Sequence, residues 1–140
     1  MFVILSGMND KQLLQRAVDL ATKSLEPVGC GVVITCDNKI VAEEYNSQRT
    51  DNIAVNHAGI KAVIAANIRL GQRKLSNAVA YCSCEPCAMC LTALSYAGVG
   101  RIVFNQAMGE LFPNDPQSRL NAIEFVAGLN FIPKIQQLSL

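Results

Sequence analysis

Residues 78–90 read AVAYCSCEPCAMC and pass from an apolar run into a cysteine-rich helix start. Residues 78–84 are typical of a buried strand. Pro86 suits the first turn of a following helix, because the N–H that proline lacks would be unpaired there anyway. We expect this helix to run to about Ala97, where Gly98 and Gly100 end it. This stretch therefore predicts a strand followed directly by a helix.

The rest of the chain continues the alternation. Apolar periodicity and turn residues predict a first helix from a cap at Asn9 or Asp10 to Leu25, strands 28–35 and 40–45 around a turn at 37–39, loop 46–56, a helix from His57 to Gly71, strand 101–105 and helix 118–127. In the helix from His57, one apolar face is expected to hold Ile60, Val63, Ile64 and Ile68. Strands that alternate with helices predict an α/β architecture around one buried sheet, which the first hairpin makes mixed.

Composition narrows the class of protein. The 140 residues suit one domain, and a hydrophobic fraction of 51% supports a packed core. The formal net charge of +1 lacks the basic excess of a nucleic-acid-binding surface, so a transfer-RNA substrate is disfavoured. No apolar run approaches the ~20 residues that cross a bilayer, and the first residues do not resemble a secretory signal. We therefore expect one cytoplasmic domain over residues 1–140, with no membrane association.

Six cysteines indicate where the chemistry lies. Four fall within residues 82–90, and the others are Cys30 and Cys36. In a cytosolic chain, such a cluster is more typical of metal binding or catalysis than of a disulfide framework.

Cys87 and Cys90 project to the same side of the predicted first helical turn, where the helix dipole favours the thiolate. Cys82 and Cys84 lie on the preceding strand and fit a tetrahedral site with them poorly. His57, the only histidine, begins another helix and offers a third ligand. Three protein ligands leave the fourth position of a zinc ion for water, as in catalytic sites. A structural cysteine cluster is the alternative.

Together, His57, Pro86, Cys87 and Cys90 resemble the H-x-E…P-C-x-x-C signature of zinc nucleoside and nucleobase deaminases. The chain resembles the cytidine/deoxycytidylate deaminase-like superfamily, and residues 83–90 are similar to the guanine deaminase form of its motif. Residues 106–140 match no motif of the superfamily that we can place. They contain no tyrosine that could stack on a base. Further matching residues are Pro27-Val28-Gly29, Asn46 and the run GRIVF at 100–104.

This resemblance implies a three-layer α/β/α fold with a mixed, mostly five-stranded sheet. It implies one zinc ion per chain, held by His57, Cys87 and Cys90. The implied reaction is hydrolytic deamination of a purine or pyrimidine base or nucleoside through zinc-bound water. Members of the superfamily commonly assemble as dimers or tetramers, so a homo-oligomer is also implied.

Substrate contacts are implied at several positions. Asn46 would hydrogen-bond the base, although it also suits a turn. Backbone groups around Ala58, Cys84 and Cys87 would line the pocket. Asn114 and Asp115 are either substrate-reading residues or plain turn residues between two prolines.

The chain departs from the family at Gly59, because the family's His-Ala-Glu is here His57-Ala58-Gly59. The missing glutamate is the family's general acid/base, and loss of such a group typically costs ~10²–10⁴-fold in rate. Helix propensity does not favour glycine here. We therefore expect weak deamination or none.

Several interpretations of Gly59 remain open. The chain is a non-catalytic zinc- and base-binding member, a zinc-stabilised interaction subunit with a closed pocket, or a protein carrying an inactivating substitution. Alternatively, another carboxylate substitutes, and Glu43, Glu44 and Asp51 are the candidates. Activity created by Gly59→Glu would favour the binding interpretation.

Overall fold

A computed structural model describes residues 3–4, 8–113, 122–129 and 131–140. Its centre is a mixed sheet with strand order β1-β3-β2-β4-β5-β6. The strands are β1 (Val3–Ile4), β2 (Gly31–Cys36), β3 (Lys39–Tyr45), β4 (Ala78–Cys84), β5 (Arg101–Gln106) and β6 (Lys134–Gln137). The pairs β1·β3, β2·β3 and β2·β4 are antiparallel, whereas β4·β5 and β5·β6 are parallel. The predicted mixed sheet is confirmed, with β1 as a two-residue addition at its edge.

Helices cover both faces of the sheet. They are α1 (Asp10–Ala21), α2 (Gln48–Asp51), α3 (Ala58–Leu70), α4 (Ala88–Tyr96), α5 (Met108–Leu111) and α6 (Ala122–Val126). Helix α1 packs on β2 and β4 from one side, while α3 packs on β2, β3 and α4 from the other. Each side has its own buried apolar cluster, which confirms the three-layer α/β/α architecture. In the described part of the chain, no helix combines the length and apolar character needed to span a membrane.

Helix α1 starts as its sequence indicates but ends early. The Asn9 side chain accepts a hydrogen bond from the Gln12 N–H, and the Gln12 side chain accepts one from the Asn9 N–H, which together form a capping box. The predicted extension to Leu25 is wrong, because the helix ends at Ala21. Beyond it the chain turns back beneath α1, and a Cβ on Gly31 would lie 2.0 Å from the Ala17 carbonyl oxygen. Only glycine permits this approach.

The turn between β2 and β3 has two residues. Asp37 and Asn38 have φ values of 49° and 61°, the left-handed conformation that two-residue hairpin turns require. Lys39 already belongs to β3, so the predicted three-residue turn is one residue too long.

Helix α3 buries a different face from the one predicted. Ile64 and Ile68 are 51% and 77% exposed. The buried residues are Ala58, Gly59, Ala62 and Ala66. Small side chains let α3 approach both the sheet and α4, so the alanine face is the one that fits.

The β4–α4 connection carries the cysteine motif. Strand β4 has its predicted bounds, but α4 begins at Ala88 with Cys87 as its N-cap. Pro86 therefore precedes the helix and does not form its first turn. The proline ring favours an extended conformation for Glu85, whose N–H donates to the Gln106 carbonyl.

The carboxyl-terminal part differs most from expectation. Of the predicted helix 118–127, the described portion is helical at Ala122–Val126, and residues 118–121 lie outside the described residues. Strand β6 was not predicted, and the predicted loop 46–56 contains α2.

Candidate metal centre

Two helix N-termini bring three metal-binding side chains together. His57 is the N-cap of α3, Cys87 is the N-cap of α4, and Cys90 lies in the first turn of α4. His57 Nδ1 is 3.5 Å from Cys87 Sγ and 3.8 Å from Cys90 Sγ. The three ligand atoms all lie within 4.8 Å of one another.

The close approach of the three side chains shifts the pKa of each. The Cys90 thiol, followed by the His57 ring, lowers the pKa of Cys87 to about 4 against the effect of desolvation. The interaction with Cys87 raises the pKa of His57 and that of Cys90 above their ordinary values. The site thus holds an anionic sulfur beside a protonatable ring and a second thiol.

This donor set fits zinc. One imidazole nitrogen and two thiolate sulfurs are borderline-soft ligands that zinc prefers, and three such ligands leave one coordination position open. His57, Cys87 and Cys90 would therefore hold the ion. Cys82 and Cys84 are not part of this group of ligand atoms.

A cavity of about 190 Å³ opens beside the three ligands. Among the described residues, its lining comprises Val28, Cys30, Gly31, Val32, Asn46, Gln48, His57, Ala58, Gly59, Cys82, Cys84, Glu85, Pro86, Cys87, Cys90, Leu94, Met108 and Phe112. The predicted positions Asn46, Ala58 and Cys84 thus line one cavity with the metal ligands. Asn114 and Asp115 lie outside the described residues.

Asn46 lines the cavity and also supports its wall. Its Oδ1 accepts a hydrogen bond from the Cys30 N–H at 2.8 Å, and its Nδ2 donates to the Val28 carbonyl at 2.9 Å. A side-chain amide has two N–H donors and two acceptor lone pairs, so Asn46 retains capacity for a ligand.

Gln48 and Phe112 are two of the cavity-lining residues that sequence reasoning missed. Gln48 Oε1 is buried without a hydrogen-bond partner in the described part of the chain. Phe112 places an aromatic ring in the lining, from the region that no motif covered. Gln48 follows Asn46 by two residues, and this proximity was the available signal for it. Phe112 gave none, because its position depends on how the chain returns after β5.

Gly59 is packed against a metal ligand. A Cβ at this position would lie 2.9 Å from Cys90 Cβ and 3.0 Å from Cys90 Sγ. Real Cβ atoms do not approach other heavy atoms this closely, so α3 and α4 are spaced for glycine. Close packing therefore explains this glycine, which helix propensity does not.

The three candidate substitute carboxylates point elsewhere. Glu43 forms an ion pair with Arg16, and Glu44 lies 3.5 Å from Lys61 Nζ. Asp51 accepts hydrogen bonds from Ser47 and Asn56 in the loop before His57. None of the three is among the cavity-lining residues.

Glu85 is the one carboxylate in the described lining. Its Oε2 accepts the Met108 N–H at 2.6 Å, and its Oε1 accepts the Ala122 N–H at 2.7 Å. Both oxygens therefore anchor the carboxyl-terminal helices α5 and α6 to the end of β4.

Comparisons with known proteins agree with this geometry. Residues 8–106 match the profile of the cytidine and deoxycytidylate deaminase zinc-binding region. A guanine deaminase of Bacillus subtilis is 40% identical over 93 residues, which are 64% of this chain and 60% of that protein. A tRNA-specific adenosine deaminase of Streptococcus pyogenes is 32% identical over 103 residues, which are 69% of this chain and 64% of that protein. The match thus spans less than two thirds of either relative.

A solved structure supports the fold. The guanine deaminase of Nitrosomonas europaea superposes with a TM-score of 0.81 at 16% identity, covering 98% of this chain and 80% of that one. Because the profile match includes all three metal-binding residues and most of the sheet, the chain belongs to the cytidine and deoxycytidylate deaminase zinc-binding family.

Proposed function

We propose that this protein binds a purine or pyrimidine base or nucleoside beside a zinc ion held by His57, Cys87 and Cys90, and turns it over weakly or not at all. The observation that carries this proposal is Gly59. It stands at the position of the family's general acid/base, and the Cys90 side chain occupies the space that a larger residue needs.

Zinc bound by these donors supplies Lewis-acid chemistry that activates water as a nucleophile. Deamination also needs a group that accepts a proton from the nucleophile and returns one to the ring and the leaving amine. Gly59 has no side chain for this work, and both oxygens of Glu85 are held by backbone N–H groups. We therefore expect a rate at least ~10²–10⁴-fold below that of a complete site.

The lining favours a small ligand with N–H groups. Gln48 Oε1 is a buried acceptor, and leaving such an atom unpaired costs ~1–3 kcal/mol. A ring N–H or amino group of a base would pair with it, while Phe112 and Asn46 offer a stacking face and a further amide. A cavity of about 190 Å³ suits a base better than a drug-sized ligand, whose sites span ~300–1,000 Å³.

A second candidate is weak catalysis through Glu85, favoured because its carboxylate lines the cavity. Glu85→Gln keeps one oxygen acceptor and removes the basic group. If the protein has zinc-dependent turnover, its loss in this variant, with zinc content and melting temperature both unchanged, would assign the proton transfer to Glu85.

We further propose a free small molecule as ligand instead of transfer RNA, on the basis of the net charge of +1. One relative is named a tRNA-specific adenosine deaminase, so this choice needs a direct test. Binding of labelled transfer RNA, measured by fluorescence anisotropy at two salt concentrations, is that test. We expect no saturable binding, whereas salt-dependent saturation would favour RNA.

We also propose a cytoplasmic homo-oligomer. The cysteines are unpaired, as a reducing compartment favours.

Ile64 and Ile68 are exposed on successive turns of α3 and offer an apolar contact to a second copy. Sedimentation should show a dimer or tetramer that Ile68→Lys dissociates, while Leu25→Lys, at an exposed leucine outside α3, leaves it intact. A monomeric wild-type protein would contradict this.

Calorimetric titration of the zinc-loaded protein with bases and nucleosides tests the proposed binding. We expect one ligand class to bind, and Gln48→Ala to weaken that binding about tenfold, the equivalent of one buried hydrogen bond of ~1.4 kcal/mol. Gln72→Ala, at an exposed glutamine outside the lining, is the matched control. If no base or nucleoside binds, the closed-pocket interaction subunit is the better interpretation.

A further inference from the structure

Two thiols that belong to no metal site face each other in the cavity wall. Cys30 Sγ lies 2.8 Å from Cys84 Sγ, and the Cys30 thiol donates to the Cys84 sulfur. Cys30 directly precedes β2, and Cys84 is the last residue of β4. The metal-ligand group of the described residues contains neither of them.

The strand register explains this contact. Val32 pairs with Cys82 in the antiparallel β2·β4 ladder. The same register, extended by two residues beyond this pair, sets Cys30, just before β2, opposite Cys84 at the end of β4. Residues directly opposite in an antiparallel pair have Cα atoms ~4.5–5.5 Å apart. This separation falls within the ~4.4–6.8 Å that a disulfide requires. A bond between the two sulfurs therefore needs no rearrangement of the sheet.

The pair is also within reach of small molecules. Cys30 is only partly buried, and both residues line the cavity that opens to solvent beside the metal ligands. By contrast, Cys36 is buried on β2 and is absent from the lining.

We propose that Cys30 and Cys84 form a modification site, in which a peroxide converts the two thiols into a reversible disulfide in the cavity wall. The hydrogen bond from Cys30 supports Cys84 as the attacking sulfur, since it lowers the pKa of Cys84 against the effect of desolvation.

With hydrogen peroxide, the Cys84 thiolate attacks one oxygen, the O–O bond breaks, and a sulfenic acid and hydroxide form. The Cys30 sulfur then attacks the Cys84 sulfur, so that the S–S bond forms and the S–O bond breaks. The departing hydroxide takes the proton that Cys84 released when it ionised, and the Cys30 proton neutralises the first hydroxide. Two thiols have then lost two electrons, and one hydrogen peroxide has become two water molecules.

The cross-link would constrain the ligand cavity. The Cys30 N–H donates to Asn46 Oδ1, so a bond at Cys30 also constrains the side chain proposed to contact the base. This consequence rests on the proposed function, whereas formation of the cross-link does not.

The test treats the zinc-loaded protein with a small molar excess of hydrogen peroxide, alkylates the remaining thiols under denaturing conditions, and maps disulfides by mass spectrometry without reduction. Zinc is measured in parallel with a metal-sensitive dye. We expect a Cys30–Cys84 linked peptide, a mass lower by two hydrogen atoms, full reversal by dithiothreitol, and retained zinc.

Two variants control the result. Cys30→Ala should abolish the linked species, whereas Cys36→Ala, which removes a buried thiol outside the cavity, should leave it unchanged. A Cys87–Cys90 link with zinc release would overturn the proposal. So would oxidation of single cysteines without a Cys30–Cys84 link, or thiols that remain fully alkylatable.

Discussion

Gly59 affects both the packing of two helices and the proposed chemistry of the cavity. The residue faces the Cβ and Sγ of Cys90, so it sets the spacing of α3 and α4. In the function proposed above, the same position lacks the acid/base that deamination needs. A glutamate here would need the two helices to move apart at a metal ligand. For this reason Gly59→Glu alone is expected to disturb zinc binding instead of simply restoring a complete site.

Gly59→Ala isolates the packing effect. We expect it to lower the free energy of unfolding by ~1–3 kcal/mol, the usual cost of overpacking, and to weaken zinc binding through displacement of Cys90. Denaturant unfolding and competition with a zinc chelator measure the two effects. Gly100→Ala is the matched control, because a Cβ there meets nothing within 4 Å, and its effect should stay within ~0.5 kcal/mol. Equal stability and zinc affinity in Gly59→Ala would refute the packing argument.

At the scale of elements, a partly exposed network of hydrogen bonds attaches α1 to the sheet. Asp10 in the first turn of α1 accepts hydrogen bonds from Tyr81 on β4 and from Arg101 on β5. Arg101 holds the pKa of Asp10 below its ordinary value of 3.8, with a smaller contribution from Tyr81. Two strands thus hold the start of one helix.

This network predicts a pH dependence. Because the folded pKa of Asp10 is below the unfolded value, its contribution to stability is present above about pH 4 and disappears as pH falls through the folded pKa. Asp10→Asn should cost up to ~1 kcal/mol at pH 7, since its partners are partly exposed and screened, and progressively less below pH 4. Denaturant unfolding of zinc-free proteins across this range is the measurement, with Asp19→Asn as the control on α1. A cost that stays constant with pH would count against the network.

The elements differ in how well the sequence predicts them. Strand β4 is short, apolar and bounded by turn residues, so its limits are predictable. Helix α3 has two stripes at the same spacing, one of alanine and one of isoleucine, and hydrophobicity alone selects the wrong one. Burial of the alanine stripe follows from the close approach of α3 to the sheet and to α4, which is a tertiary effect. Strand β6 reads KIQQ and is stabilised by pairing with β5, so its own composition gives little signal.

The residues of the candidate site also differ in how well the sequence predicts their roles. His57, Cys87 and Cys90 are predictable because metal ligands are chemically distinctive and lie at helix starts. The roles of Gln48, Phe112 and the Cys30–Cys84 pair depend on which loops and strand ends meet around the cavity. Local sequence does not contain that information.

At the scale of the whole molecule, a zinc ion held by His57, Cys87 and Cys90 would link the N-termini of α3 and α4. A ligand that binds only the folded state at 100 times its dissociation constant stabilises by ~2.7 kcal/mol. Removal of zinc by a chelator should therefore lower the melting temperature by about 10 °C for a domain of this size. His57→Ala should melt near the zinc-free temperature and show no response to the chelator. Loss of bound zinc without a change in melting would mean that other contacts fix this helix pair.

The measurement that tests the central claim most directly is ammonia release by the zinc-loaded protein from the base or nucleoside that it binds most tightly. Zinc content and ligand occupancy are determined on the same sample, and a zinc-free sample serves as the blank. We predict saturable binding with ammonia release at or near the blank, because no free acid/base stands at Gly59. Sustained, zinc-dependent release at rates typical of enzymes, ~1–10³ per second, would contradict the account and show that another group transfers the proton.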